Sequence, residues 1–144
     1  MHRGGCQCGA VRIVASEAPV RISVCHCRMC QRATGGLHAP LAEFAPGTLR
    51  IEGEPTSWAS SNVSERGFCP RCGTPLFLRD LADGTTEVML GAMADPVALA
   101  PTYQYGVESR MPWLAAMTDL PGYETGAGPN DDDDALPVSR QADL

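Results

Sequence analysis

Phe68-Cys69-Pro70-Arg71-Cys72-Gly73 has the form of a metal knuckle. Two cysteines separated by two residues can aim both thiolates at one ion about 2.3 Å away when a tight turn joins them. Pro70 presets one backbone angle of that turn, and Gly73 gives its exit the freedom it needs. Two more clusters lie upstream, Cys6-Gln7-Cys8 and Cys25-His26-Cys27-Arg28-Met29-Cys30. All seven cysteines of the 144-residue chain fall in these three places. The odd number argues against a plain disulfide framework.

Seven thiols divide as four plus three. Cys6 and Cys8 from a strand end, paired with Cys69 and Cys72 from the knuckle, give a closed four-thiolate site of the kind that holds a structural Zn²⁺. Cys25, Cys27 and Cys30 lie within six residues and can grip one ion unaided. Three thiolates leave a fourth position for water or substrate, the pattern of a catalytic zinc. The plainer alternatives for this middle cluster are a thiol group only transiently loaded with metal, or a second structural site completed by a histidine. His26 sits between two cysteines, so an extended backbone points it away from them. His38 follows Gly35-Gly36 and could reach the site, although a half-buried strand histidine is the commoner case. Arg28, Arg32, Arg66 and Arg71 flank the clusters, where they can offset thiolate charge or clamp a substrate carboxylate.

The rest of the chain reads as one domain with short strands. Val11 and Ile13 alternate with Arg12, and Val20, Ile22 and Val24 alternate again up to Cys25, the period of a half-buried sheet. Residues 27–34 suit a short helix that brings Cys30 back beside Cys27, with Gly35-Gly36 ending it. Apolar runs then recur at 37–44, 48–51, 56–60, 67–69, 75–78 and 87–90, separated by turn signals such as Ala45-Pro46-Gly47 and Asp83-Gly84. That spacing predicts a mainly β fold, a sandwich or barrel-like arrangement. Residues 95–99 read as a helical turn, residues 103–107 as a last strand, and His2 as part of a frayed terminus. From residue 126 the chain is Gly, Pro and Asp with little to bury, which predicts a folded unit over 1–125 and a disordered acidic tail over 126–144.

Charge narrows the partners. The formal net charge is −6, and arginine supplies every basic side chain. The five aspartates and one arginine after Thr125 account for −4, leaving the body near −2. A body of that charge is poor material for holding phosphates, so no nucleic-acid partner is expected. No run of 18 apolar residues exists, so no membrane span is expected either. Without an apolar h-region near Met1 no signal peptide is expected, and a cytoplasmic home follows, where thiolates serve metals.

With these motifs in place, the chain resembles the glutathione-dependent formaldehyde-activating enzyme family, whose domain also occurs in centromere protein V. The resemblance covers about residues 3–120. It rests on Gly5-Cys6-Gln7-Cys8-Gly9-Ala10-Val11-Arg12, on Cys25-His26-Cys27-Arg28-Met29-Cys30-Gln31-Arg32, and on Arg66-Gly67-Phe68-Cys69-Pro70-Arg71-Cys72-Gly73-Thr74-Pro75-Leu76, in matching order and spacing. It implies a β-tent fold of short antiparallel strands. It also implies a structural zinc on Cys6, Cys8, Cys69 and Cys72, and a catalytic zinc on Cys25, Cys27 and Cys30. Gln104 stands where family members often carry a histidine, while Ser109-Arg110 and Pro112-Trp113-Leu114 fit. The implied reaction is a carbon–sulfur lyase run backwards: glutathione, as co-substrate thiol, adds to formaldehyde or a related small aldehyde, with Arg28 and Arg32 as candidates to bind the glutathione. The alternative is a non-enzymatic zinc module or a carrier of glutathione adducts.

Overall fold

Alternating side chains make ten short strands, seen in a computed structural model that describes residues 1–128 and 138–143. Strands β1 (His2–Gly5), β2 (Arg12–Ala15) and β5 (Leu49–Glu52) form a small antiparallel sheet in the order β1-β2-β5. The large sheet takes β3 (Arg21–Cys25), β4 (Ala39–Phe44), β6 (Thr56–Ala59), β7 (Ser64–Phe68), β8 (Pro75–Asp80), β9 (Thr86–Met89) and β10 (Tyr103–Tyr105). Its order is β10-β3-β4-β9-β8-β7-β6, antiparallel throughout except that β10 runs parallel to β3. The fold is therefore mainly β, two sheets of short strands, as the sequence predicts.

Register explains where the core lies. Ile22, Ala42, Val88, Phe77 and Gly67 follow one another across β3, β4, β9, β8 and β7. Ala42, Val88 and Phe77 join Ile13 and Ala15 of β2 in one buried cluster, so the two sheets share a core. Gly67 is required here, because a Cβ on it would meet the Phe77 ring at 2.1 Å. The opposite row runs Arg21, Glu43, Glu87, Leu78, Arg66 and Trp58. Side chains alternate along a strand, so Cys25, Leu41 and Met89 lie on this second face too. Helix α1 (Arg28–Thr34) packs against β4 beside them.

Local chemistry sets the ends of α1. Cys27 is its N-cap and its Sγ accepts from the Cys30 amide, while Gly35 closes the helix in the left-handed region at φ 66°. Three expectations change. His2 belongs to β1 rather than a frayed end. Residues 95–99 form a turn closed by the Leu99 amide on the Pro96 carbonyl, not a helix. The strand expected at 67–69 is β7, which begins at Ser64. After Thr125, the Ala142 amide donates to the Gln7 carbonyl at 2.8 Å and Arg12 donates to the Asp143 carbonyl. The run Asp131–Asp134 lies outside the described residues. No helix among the described residues is long and apolar enough to cross a membrane.

Candidate metal centres and the cleft beside them

Two knuckles meet to make the first cluster. In one, the Cys6 amide donates to the Val11 carbonyl, the Gly9 amide to the Cys6 carbonyl, and the Val11 amide to Cys6 Sγ at 3.2 Å. In the other, the Cys69 amide donates to the Thr74 carbonyl and the Gly73 amide to the Cys69 carbonyl. Gly9 and Gly73 occupy matching left-handed positions, each at φ 75°. The Gln7 amide bonds Thr74 Oγ1 at 3.0 Å and ties the two turns together. As a result the Sγ atoms of Cys6, Cys8, Cys69 and Cys72 all lie within 4.8 Å of one another. The Cys6–Cys8 and Cys8–Cys69 separations are 3.6 Å and 3.8 Å, far beyond the roughly 2.05 Å of a disulfide.

The thiols in this group titrate apart. Against the cost of burial, the Thr74 hydroxyl and amide pull Cys72 down to about 6. Cys8 is pushed up to about 11: the Ala10 amide works to lower it, but desolvation and the crowding of Cys6, Cys72 and Cys69 prevail. Four soft sulfur donors converging with no disulfide between them fit a closed metal site.

The second cluster gathers Cys25 from the end of β3, Cys27 from the N-cap and Cys30 from the first turn of α1, again with all Sγ atoms within 4.8 Å. Among the described residues no histidine or acid completes this group as a fourth donor. Burial, followed by the neighbouring thiols, pushes Cys25 up to about 12. Burial also raises Cys30 even though Arg66 opposes it. Such thiols become thiolates readily only beside added positive charge, which fits a cation held by all three.

Strand β10 closes one side of this cluster. The His26 amide donates to the Tyr105 carbonyl at 2.8 Å, and His26 Nε2 donates to Gln104 Oε1 at 2.9 Å. Gln104 is thus tied to the loop that carries the cysteines. Buried Gln31 ties that loop to the segment after β10, giving its Nε2 protons to the carbonyls of His26 and Ser109. Gly106, at φ 65°, lies so near that a Cβ there would meet the Cys27 amide nitrogen at 2.8 Å. His26 is buried but reaches no cysteine ligand group, and its ring meets His38 edge-on at 5.6 Å.

The flanking arginines divide. Arg28 contacts Gln31 Oε1. Arg32 is exposed and lines a cleft of about 440 Å³ between α1 and the far half of the large sheet. Arg66 lines the same cleft and donates from Nη2 to Cys30 Sγ at 3.4 Å. The sequence places Arg66 among the arginines near the clusters and at the head of the third motif, with no local mark of its contact to Cys30. Trp58, which forms part of the cleft wall, carries no such mark either.

Known proteins resemble this chain in sequence and in fold. A family model described as "Glutathione-dependent formaldehyde-activating enzyme" matches residues 1–109. A "Putative glutathione-dependent formaldehyde-activating enzyme" of Halomonas elongata is 36% identical over 86 residues, covering 54% of this chain and 55% of that protein. An uncharacterized lyase of Schizosaccharomyces pombe is 28% identical over 76 residues, covering 53% and 56%. The chain spans about half the length of the curated relatives it matches. The crystal structure of a Rhodobacter sphaeroides protein superposes with a TM-score of 0.57 at 22% identity, covering 71% of this chain and 98% of that one, a likeness of fold.

Proposed function

We propose a function from one premise: the chain belongs to the glutathione-dependent formaldehyde-activating enzyme family. In this reading it adds a glutathione-like thiol to formaldehyde or a related small aldehyde, the reverse of a carbon–sulfur lyase. The observation that carries the reading is the three-thiol cluster with no fourth protein donor among the described residues, standing beside an open cleft. Cys25, Cys27 and Cys30 would hold a zinc ion, which supplies a position for the substrate thiol and lowers its pKa. Cys6, Cys8, Cys69 and Cys72 would hold a second zinc that binds the two knuckles together.

The protein's own side chains do the rest. Gln31 and Gln104 fix the loop that carries Cys25 and Cys27, so the thiols keep their spacing when a substrate arrives. Arg32, exposed at the cleft, would hold a carboxylate of the thiol substrate, with Arg28 beside it on the same helix. Holding the thiol next to the aldehyde contributes mainly by proximity. A reducing compartment such as the cytoplasm keeps all seven thiols available.

The test is glutathione plus formaldehyde turnover, followed by nuclear magnetic resonance of the hydroxymethyl adduct, with zinc per chain measured on the same samples. Cys27→Ser is expected to retain one zinc and the fold while losing glutathione binding and adduct formation. A Cys27→Ser protein that binds glutathione as well as wild type sinks this reading.

A further inference from the structure

The guanidinium of Arg66 sits against the three-cysteine cluster with no carboxylate to balance it. Its Nη2 donates to Cys30 Sγ at 3.4 Å, and its Nε and Nη1 are buried without a hydrogen-bond partner. Among the described residues no acid forms an ion pair with it. The acids nearby are taken. Glu65, its neighbour in β7, pairs with Arg79, while Glu43 and Glu87 share Arg21. Glu87 shares a sheet face with Arg66 but stands two strands away, because Arg66 pairs with Leu78 and Leu78 with Glu87. That separation is about 10 Å at the backbone, too far for contact. A sealed cation is costly unless an anion neutralises it. Arg28 is bonded to Gln31 and Arg32 is exposed, so among the described residues Arg66 is the arginine that touches a thiol of this cluster.

Resting on the open-site reading above, we infer that the counter-ion of Arg66 is the metal-loaded cluster itself, and that Arg66 is the positioning residue that balances the charge on Cys25, Cys27 and Cys30. Three thiolates around a divalent cation leave one net negative charge. Cys25 and Cys30 are buried, where such a charge is costly. A guanidinium is charged at every working pH, so Arg66 neutralises the cluster without giving up a proton. Its N–H···S bond also draws electron density from Cys30 Sγ. Two consequences follow from this placement. Arg66 favours the loaded cluster over the empty one, because the sealed cation gains its anion when the thiols become thiolates on a metal. It also eases entry of a fourth sulfur. A substrate thiolate would raise the cluster to two net negative charges, and Arg66 holds the total to one. The arginine acts through Cys30, by charge and by orienting its sulfur.

Cobalt(II) tests this without any turnover, since thiolate-to-metal charge transfer gives the loaded site an absorption band. The reduced full chain is first given one zinc per chain, which goes to the closed four-cysteine site, and is then titrated with Co²⁺. Wild type is expected to take up cobalt and to show the band. Arg66→Met is expected to weaken that uptake by about ten- to a hundredfold. It is also expected to move the band to longer wavelength, because Cys30 Sγ has lost its donor. Arg66→Lys restores the charge and is expected to recover part of the affinity. Zinc affinity at the four-cysteine site, whose thiols Arg66 does not contact, is expected to stay at the wild-type level in both variants and so reports an intact fold. Where Arg66→Met does not fold, Arg66→Gln, which keeps a donor and drops the charge, carries the same expected loss of affinity. Uncharged variants that bind cobalt as tightly as wild type overturn the inference and leave the open-site reading standing. Arg66→Lys no better than Arg66→Met, with an unmoved band in both, reduces Arg66 to packing and overturns it as well. Wild type that takes up no cobalt beyond its first zinc sinks the open-site reading, and the inference with it.

Discussion

A single sulfur carries more weight here than any apolar side chain of its size. Cys69 is fully buried, and the bond from the Gln7 amide to Thr74 Oγ1 ties its knuckle to the other one. A metal in a four-thiolate site contributes on the order of 10 kcal/mol that is coupled to folding. Cys69→Ser is therefore expected to abolish cooperative melting or soluble expression, and a variant that melts at the wild-type temperature would show that these four thiols do not hold the fold. Gly106 works at the same scale but on the other cluster. Its left-handed backbone makes Ala cost about 1–2 kcal/mol, and the new Cβ would also press on the Cys27 amide. Gly106→Ala is expected to lower Tm modestly and to halve the zinc bound per chain by emptying the Cys25, Cys27 and Cys30 site. Two zincs retained at a lower Tm would confine the damage to the backbone.

Elements, rather than residues, decide the electrostatics of the large sheet. Arg21 on β3, Glu43 on β4 and Glu87 on β9 are neighbours in one cross-strand row. Arg21 contacts Glu43 directly and reaches Glu87 at 3.8 Å. Burial holds the Glu87 pKa above its usual 4.5, with Arg21 pulling it down and Glu43 pushing it up. The folded state thus keeps a proton that the unfolded chain has already lost, so this group's contribution to stability falls as pH rises from 4.5 through the raised value. Glu87→Gln is expected to remove that decline in urea titrations across the window and to leave neutral-pH stability no lower. A less stable variant at neutral pH would mean the Arg21 contact outweighs burial. Elements also mark what the sequence makes legible. The knuckles and α1 depend on local spacing, on Cys27 as cap and on Gly35 as stop, and they read directly. β1 does not, because Gly4-Gly5 has no strand preference of its own. Gly4 is there so that the Ala92 carbonyl can approach, at 2.3 Å from where a Cβ would stand. The parallel pairing of β10 with β3, and the reach of Arg66 from β7 to Cys30, depend on partners far away in sequence. No local pattern encodes them.

At the scale of the whole molecule, the chain's last described residues return to its first cluster. Ser139, Arg140 and Gln141 line a pocket with Gln7, Cys8 and Cys72, and the Ala142 amide is bonded to the Gln7 carbonyl. Cys8 and Cys72 are the half-buried members of their cluster, while Cys6 and Cys69 are sealed. The contact is thin. Val138 is 90% exposed; the Ala142 amide bonds Gln7 of the first knuckle, and the Asp143 carbonyl accepts from Arg12 on β2. Exposed bonds of this kind contribute roughly 1 kcal/mol each at most, and ordering the segment opposes even that. We therefore propose residues 1–125 as the folding unit, with residues 139–142 as a cover over one side of the closed cluster. Deleting residues 126–144 is expected to leave Tm within about 2–4 °C of the full chain, a shift equivalent to no more than about 1 kcal/mol. The same deletion is expected to speed zinc release from the four-cysteine site to a coloured chelator, because the side facing Cys8 and Cys72 loses its cover. Release from the three-cysteine site should be unchanged, since the segment's bonds and pocket lie at the other cluster. A large fall in Tm would make the segment part of the fold, and equal release rates from the closed site in both proteins would show that the segment shields nothing.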